Sequence, residues 1–285
     1  MHPNLIPSTV VRAAVAAALA LVAGVPAARA TEPCGGFGEC KALIEINATD
    51  GDIGFHFLMD GENLSSATLS DGNGALLFEG FARGPLLEQR LTEIFAESAE
   101  PLCWHDPEAE PGELVVTLEE FLARIAGGTY RAVGTGGAGA QATGEDVLTR
   151  YLPAAPADVE YEHGEISWHP GDDLGRCASF GELAALVGAG VLPQHPADVA
   201  VAMWEVVLEP VVPEGDPTGQ LKFTVRVPSG VSALEVAVPR QFLAAFGPDT
   251  PGKVEVGAIG LDDNATFSEE EVCINERRGC EEDEE

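Results

Sequence analysis

The chain has 285 residues, with 47 Asp and Glu against 15 Lys and Arg and a formal net charge of −32. Such a chain repels nucleic acid and anionic lipid, which excludes binders of DNA, RNA and acidic membrane surfaces. Its 33 Gly and 20 Pro, set between short apolar runs, point to strands and turns.

Residues 1–30 read as a Sec-type signal peptide. The n-region carries Arg12, the h-region is "AAVAAALALVAGV", and Ala28-Arg29-Ala30 is a small-x-small cleavage pattern. The apolar run falls short of the roughly 20 residues that a spanning helix needs. The expectation is a mature chain starting near Thr31, secreted or periplasmic, with no membrane span after cleavage. Loss of Arg12 and Arg29 makes that chain still more acidic. All six cysteines lie beyond the signal: Cys34, Cys40, Cys103, Cys177, Cys273 and Cys280. An even count in a secreted chain reads as disulfides. "CGGFGEC" and "CINERRGC" are close pairs, which leaves Cys103 and Cys177 as a staple between the two halves.

The first elements expected are two alternating strands. Ala42, Ile44 and Ile46 share one face, and Ile53, Phe55, Phe57 and Met59 share a face of the next, with "TDGD" as a tight Asp-Gly hairpin turn. His56 then falls on the face opposite Phe55 and Phe57, exposed to solvent. Further on, "ELVVTLEEFLARIAGGTYRAVG" reads strand, short helix, strand, with Thr117 and Glu120 as a capping box. The pattern returns in "ALEVAVPRQFLAAFGPDTPGKVEVGAIG", where Pro239 suits the first helical position and Gly247 the stop. An internal echo of this length implies two related β-sandwich units. The all-β reading is therefore two tandem antiparallel sandwiches, residues 31–152 and 153–275, joined at the Pro/Ala linker "YLPAAPADV" and followed by an acidic tail, 276–285.

In the second half, "ADVEYEHGEISWHP" makes two strands around a His-Gly turn, with Ile166 and Trp168 pointing inward. "VAMWEVVLEP", "LKFTVRVP" and "KVEVGAIG" each alternate with period two. Between Trp168 and Trp204 lies an insertion whose Phe180, Leu183, Leu186 and Val187 have helical spacing. It reads as a helix covering the sandwich end or as a partner-docking element.

These strands resemble a fibronectin type III-like domain over residues Pro153 to Ile274. "PADVEYEHGEISWHP" matches strands A and B, "WEVVLEP" strand C, "LKFTVRVP" C′, "LEVAV" E, and "KVEVGAIGLDDNATFSEEEV" the F–G hairpin. The insertion departs from that pattern, and so does the absent tyrosine near Gly252; in the first half Tyr130 suits the tyrosine-corner role. Taken whole, the chain resembles a group of secreted bacterial sandwich proteins. That resemblance implies fold and compartment only, because function has to be read from a site.

Chemistry is sparse. There is no G-x-S-x-G, S-x-x-K, H-E-x-x-H or phosphate-loop pattern. Hard oxygen ligands at acidic turns nominate calcium, with Asp50 and Asp52 in "TDGD" and Asp262 and Asp263 in "GLDDNAT" as the ligand candidates. The same residues are also what hairpin turns require. The leading expectation is a non-enzymatic binding or structural module for an unknown protein or glycan. The alternatives are a calcium-stabilised adhesion or carbohydrate-binding protein, and a carboxylate-dependent hydrolase using His105, Asp106 and Glu108 of "CWHDPE".

Overall fold

The computed structural model describes residues 34–104, 114–136, 139–277 and Cys280. The signal segment, His105 to Glu108 and most of the acidic tail lie outside them. Among the described residues the fold is mostly β. The first half holds β1 (Glu39–Asn47), β2 (Asp52–Ser70), β3 (Leu76–Phe81), β4 (Leu91–Glu97), β5 (Gly128–Gly136) and β6 (Gln141–Leu148), with helices α1 (Gly84–Gln89) and α2 (Leu118–Arg124). The second half holds β7 (Ala157–Glu162), β8 (Glu165–His169), α3 (Phe180–Gly188), β9 (Val201–Pro210), β10 (Phe223–Pro228), β11 (Glu235–Ala237), α4 (Arg240–Leu243), β12 (Thr250–Gly260) and β13 (Ala265–Ile274).

The second half is a sandwich. Strands β11, β8 and β7 form a three-stranded sheet, and β10, β9, β12 and β13 lie in that order opposite it. These are the strands expected as E, B, A and C′, C, F, G. Trp168 and Trp204 meet in the core between the sheets with ring centroids 6.0 Å apart, among Val206, Leu208, Val254 and Val256. The β7–β8 turn is the expected two-residue loop, with His163 and Gly164 both at positive φ as such a turn demands. In the first half the Tyr130 hydroxyl donates to the Ala126 carbonyl at 3.0 Å, a tyrosine-corner contact. Thr117 Oγ1 accepts the Glu120 N–H at the start of α2. Pro239 stands one position earlier than expected, at the N-cap of α4.

Four features depart from the sequence reading. The two halves share one sheet, because β1 pairs in parallel with β13 (Glu45 opposite Ala265) and antiparallel with β2. β2 is long: its first part pairs with β1 and β4, and after a register shift beyond Asp60 its second part pairs with β3 and β5. The linker is enclosed. Residues 152–156 are buried, Ala154 and Ala155 donate to the carbonyls of Pro196 and Asp173, and the Pro156 carbonyl accepts from Ser268 Oγ. Small apolar residues without charges can be enclosed once their backbone groups find partners. The insertion, finally, packs on the first core and not over the end of the second sandwich: Leu174, Cys177, Leu183 and Leu192 are buried beside Ile53, Leu118 and Leu122. Ser179 and Glu182 form the capping box of α3.

All six cysteines are paired, as Cys34–Cys40, Cys103–Cys177 and Cys273–Cys280. The second bridge fixes the insertion to the strap that follows β4. Asn264 ties the halves together from inside. It is fully buried, its Oδ1 accepts the Ile44 N–H at 2.8 Å, and its Nδ2 donates to the carbonyls of Thr149 and Tyr151. Strands β3 and β4 with α1 form a flap that leaves Leu76, Phe81, Leu86 and Phe95 at least half exposed.

Candidate functional site

Three stretches meet on the outer face of the large sheet. In β2, Phe55 and Phe57 turn into the first core, so Gly54 and His56 face outward. Glu45 sits directly opposite Gly54 on β1 and brings its carboxylate to that face. The third stretch, residues 98–101, continues alongside β2. The Ser98 N–H donates to the Phe55 carbonyl, the Phe55 N–H to Ser98 Oγ, and the Ile53 N–H to the Pro101 carbonyl. This strap lays Glu100 over Gly54. A Cβ on Gly54 would stand 2.9 Å from His56 Nε2 and 3.0 Å from Glu100 Oε1, so glycine is what leaves the room.

His56 is consequently buried, at 7% exposure, and not exposed as its place on the outer face suggested. Its Nδ1 lies 4.0 Å from Glu45 Oε2 and its Nε2 3.5 Å from Glu100 Oε1. Nε2 is enclosed without a hydrogen-bond partner. The Phe95 ring closes the site edge-on, 6.0 Å from the imidazole.

Glu45 and Glu100 of this cluster stand at the inner end of a groove of about 300 Å³ that crosses the sheet, lined also by Asp52, Glu205, Lys222, Glu255 and Glu269. Its outer end is neutralised. Lys253 Nζ lies 2.7 Å from Glu255 and 3.1 Å from Glu269, Arg226 pairs with Glu205, and Lys222 Nζ lies 2.8 Å from Glu209. At the inner end, among the described residues, Glu45, Asp52 and Glu100 have no Lys or Arg ion pair.

The electrostatics follow. Burial pushes the Asp52 carboxyl up to about 7, and the Glu100 and Asp50 charges add to it. Burial also raises Glu45; His56 opposes that rise, and the Glu100 and Glu205 charges reinforce it. Burial raises Glu269 against the pull of Lys253. On Lys253 burial acts the other way, but hydrogen bonds to Glu255 and Glu269 prevail and hold its ammonium charged.

The four sequence-nominated aspartates do not converge. Asp50 lies in the β1–β2 loop, which spans Ala48–Gly51 and is longer than the expected two-residue turn, and Asp52 is the first residue of β2. At that loop Asn47 Oδ1 accepts the N–H groups of Thr49 and Asp50, and Asn47 Nδ2 donates to Asp50. Asp262 and Asp263 lie at the β12–β13 turn, toward the other end of β1. Asp262 accepts a hydrogen bond from the Thr149 hydroxyl, and Asp263 lies 3.6 Å from Lys41 Nζ. Of the four, Asp52 alone lines the groove. From "CWHDPE", Trp104 donates its indole N–H to the Asp50 carbonyl and carries the Arg176 guanidinium over its ring at 4.9 Å.

Glu45, His56 and Glu100 were not nominated by the sequence reading. Strand alternation places the first two on one face, but nothing local announces that Glu100 joins them. A larger cavity of about 700 Å³ lies between the β7–β8 turn, α4 and the end of β13, with His163, Arg240 and Arg277 in its wall.

No protein-family model matches the chain, and no curated protein does. Among solved structures it is similar to a tetra-tandem repeat from the extending region of a large adhesion protein: 11% identity, 82% of this chain, 50% of that one, TM-score 0.24. It is also similar to a structure of a 1.5-MDa bacterial ice-binding adhesin described for host cell surface retention: 14% identity, 87% of this chain, 66% of that one, TM-score 0.24. A third is the BSP domain of a biofilm-associated protein: 10% identity, 86% of this chain, 30% of that one, TM-score 0.22. The chain thus spans half the length of the first of these.

Proposed function

We propose that this chain is a non-enzymatic binding or structural module, secreted or periplasmic, that uses the groove across its large sheet to hold a cationic ligand. The observation that carries this reading is the asymmetry of the groove. Its outer carboxylates, Glu205, Glu255 and Glu269, are matched by Arg226 and Lys253, with Lys222 beside them, whereas Glu45, Asp52 and Glu100 are crowded together without a Lys or Arg partner among the described residues. Crowding like charges in a partly desolvated place is unfavourable, and the raised carboxyls of Glu45 and Asp52 express that cost. A cation bound there relieves it. Three disulfides and a buried linker make the face rigid enough to present a fixed arrangement of charge.

The test is binding of a fluorescent lysine-rich peptide to the mature, disulfide-intact protein at physiological salt, followed by anisotropy. Asp52→Asn combined with Glu45→Gln is expected to weaken binding by at least about tenfold. Removing two carboxylates from the distant 213–220 loop and the end of β7, with Glu214→Gln and Glu162→Gln, is expected to leave it unchanged. Equal losses in both double variants mean attraction to overall charge, and the groove reading fails.

A further inference from the structure

We propose that Glu45, His56 and Glu100 form a binding site for a first-row divalent metal of zinc type at the inner end of the groove. The inference rests on reading the groove as the binding face and names what its inner end takes. One oxygen from each carboxylate and one imidazole nitrogen lie within 4.8 Å of one another. Ligands of a tetrahedral zinc, each about 2.1 Å from the metal, lie roughly 3.4 Å apart. The His56–Glu100 separation of 3.5 Å already matches that, and the remaining closure is within reach of a glutamate rotation.

Acidic neighbours alone would carry little weight in a chain this acidic. The distinguishing observation is His56: a buried imidazole whose Nε2 finds no hydrogen bond and lies 3.5 Å from a Glu100 oxygen, with Nδ1 4.0 Å from Glu45. A buried polar nitrogen left unpaired is unfavourable. A metal ion satisfies it and at the same time neutralises both glutamates, since two carboxylates balance a divalent charge. Gly54 supplies the second structural reason. It keeps open the space beside His56 Nε2 and Glu100 Oε1 that any other residue's Cβ would enter. The elements holding the ligands are themselves fixed: Glu45 and His56 by the β1–β2 ladder, Glu100 by the strap that runs into the Cys103–Cys177 bridge.

The donor set also selects the class of metal. Calcium and magnesium take oxygen ligands, whereas imidazole with carboxylate suits zinc and its first-row neighbours. Three protein ligands leave one tetrahedral position for water or for a donor from a partner.

Calorimetric titration of the mature protein with Zn²⁺ at about pH 7, with Mg²⁺ in excess to mask loose surface binding, is the direct test. One saturable zinc per chain is expected, and Co²⁺ in its place is expected to give the visible absorption of a tetrahedral ion. Glu100→Gln, at a half-exposed position that the fold tolerates, and Gly54→Ala, which removes no ligand atom, are each expected to weaken zinc by at least about tenfold. His56→Gln is expected to abolish it, with near-ultraviolet circular dichroism checking that the variant folds. Glu214→Gln is expected to change nothing. Zinc bound equally well by Glu100→Gln and Gly54→Ala, or calcium bound as tightly as zinc, overturns the proposal. Absence of zinc binding while the lysine-rich peptide still depends on Asp52 and Glu45 overturns the metal site and leaves the groove reading standing. Absence of both sinks the two together.

Discussion

Asp52 stands where the β1–β2 loop meets the strap of residues 98–101, with the charges of Asp50, Glu100 and Glu269 around it. Its folded-state value of about 7 lies well above the roughly 3.9 of an unfolded aspartate, so the folded chain holds this proton more tightly than the unfolded one. By linkage, stability from this group is fully present below the unfolded value, is lost as pH rises through the folded value, and stays lost above it. Asp52→Asn cannot ionise. It is expected to raise the melting midpoint by a few degrees at about pH 8 and to leave it unchanged or lower at about pH 4, with chelator present to exclude metal. The same shift at both pH values would refute the assignment. The neighbouring His56 shows where local reading ends. Alternation correctly set it opposite Phe55 and Phe57, but its burial is decided by Glu100 and Phe95, some forty residues further along the chain.

Among the elements, the insertion between β8 and β9 was legible as a helix and illegible as a contact. The spacing of Phe180, Leu183, Leu186 and Val187 is helical, and Ser179 and Glu182 cap the helix reciprocally. Which core it covers depends on the Cys103–Cys177 bridge, whose partners are 74 residues apart. Closing a loop of that length in the unfolded chain is worth about 4 kcal/mol in the chain-entropy account. Replacing both cysteines by serine is expected to lower stability by about that amount. Hydrogen exchange is expected to rise first in α3 and in residues 98–104, since that is where the bridge joins. Uniform exchange throughout the molecule would mean that the bridge constrains no particular element. The length of β2 was hidden for a similar reason. The strand passes through "MDGENLSS" with a register shift, because β1 and β4 support one side of the break and β3 and β5 the other.

At the scale of the whole molecule, the described residues form two apolar cores but one large sheet. The parallel pairing of β1 with β13, the Asn264 hydrogen bonds to Ile44, Thr149 and Tyr151, and the buried strap of residues 152–156 all cross between the halves. Separating them would expose the β1 edge and leave these polar groups unpaired. Thermal unfolding of the mature protein is therefore expected to be a single transition by calorimetry, and residues 31–156 expressed alone are expected to be unfolded or aggregated. Two resolved transitions, with a soluble folded fragment, would show that the halves are independent.

The sequence by itself determined the all-β class, the inward faces of most strands, the helical character of the insertion and the grouping of the cysteines. Those properties follow from period-two and helical apolar patterns, turn residues and short spacings, all of which act over a few neighbours. Only the tertiary structure decided that the halves share a sheet, that the Pro/Ala segment is buried, and that Glu45, His56 and Glu100 stand together over Gly54. Each of these depends on partners far apart in the chain, and in a chain with 47 acidic residues no local spacing distinguishes the two glutamates that meet a buried histidine from those that face water.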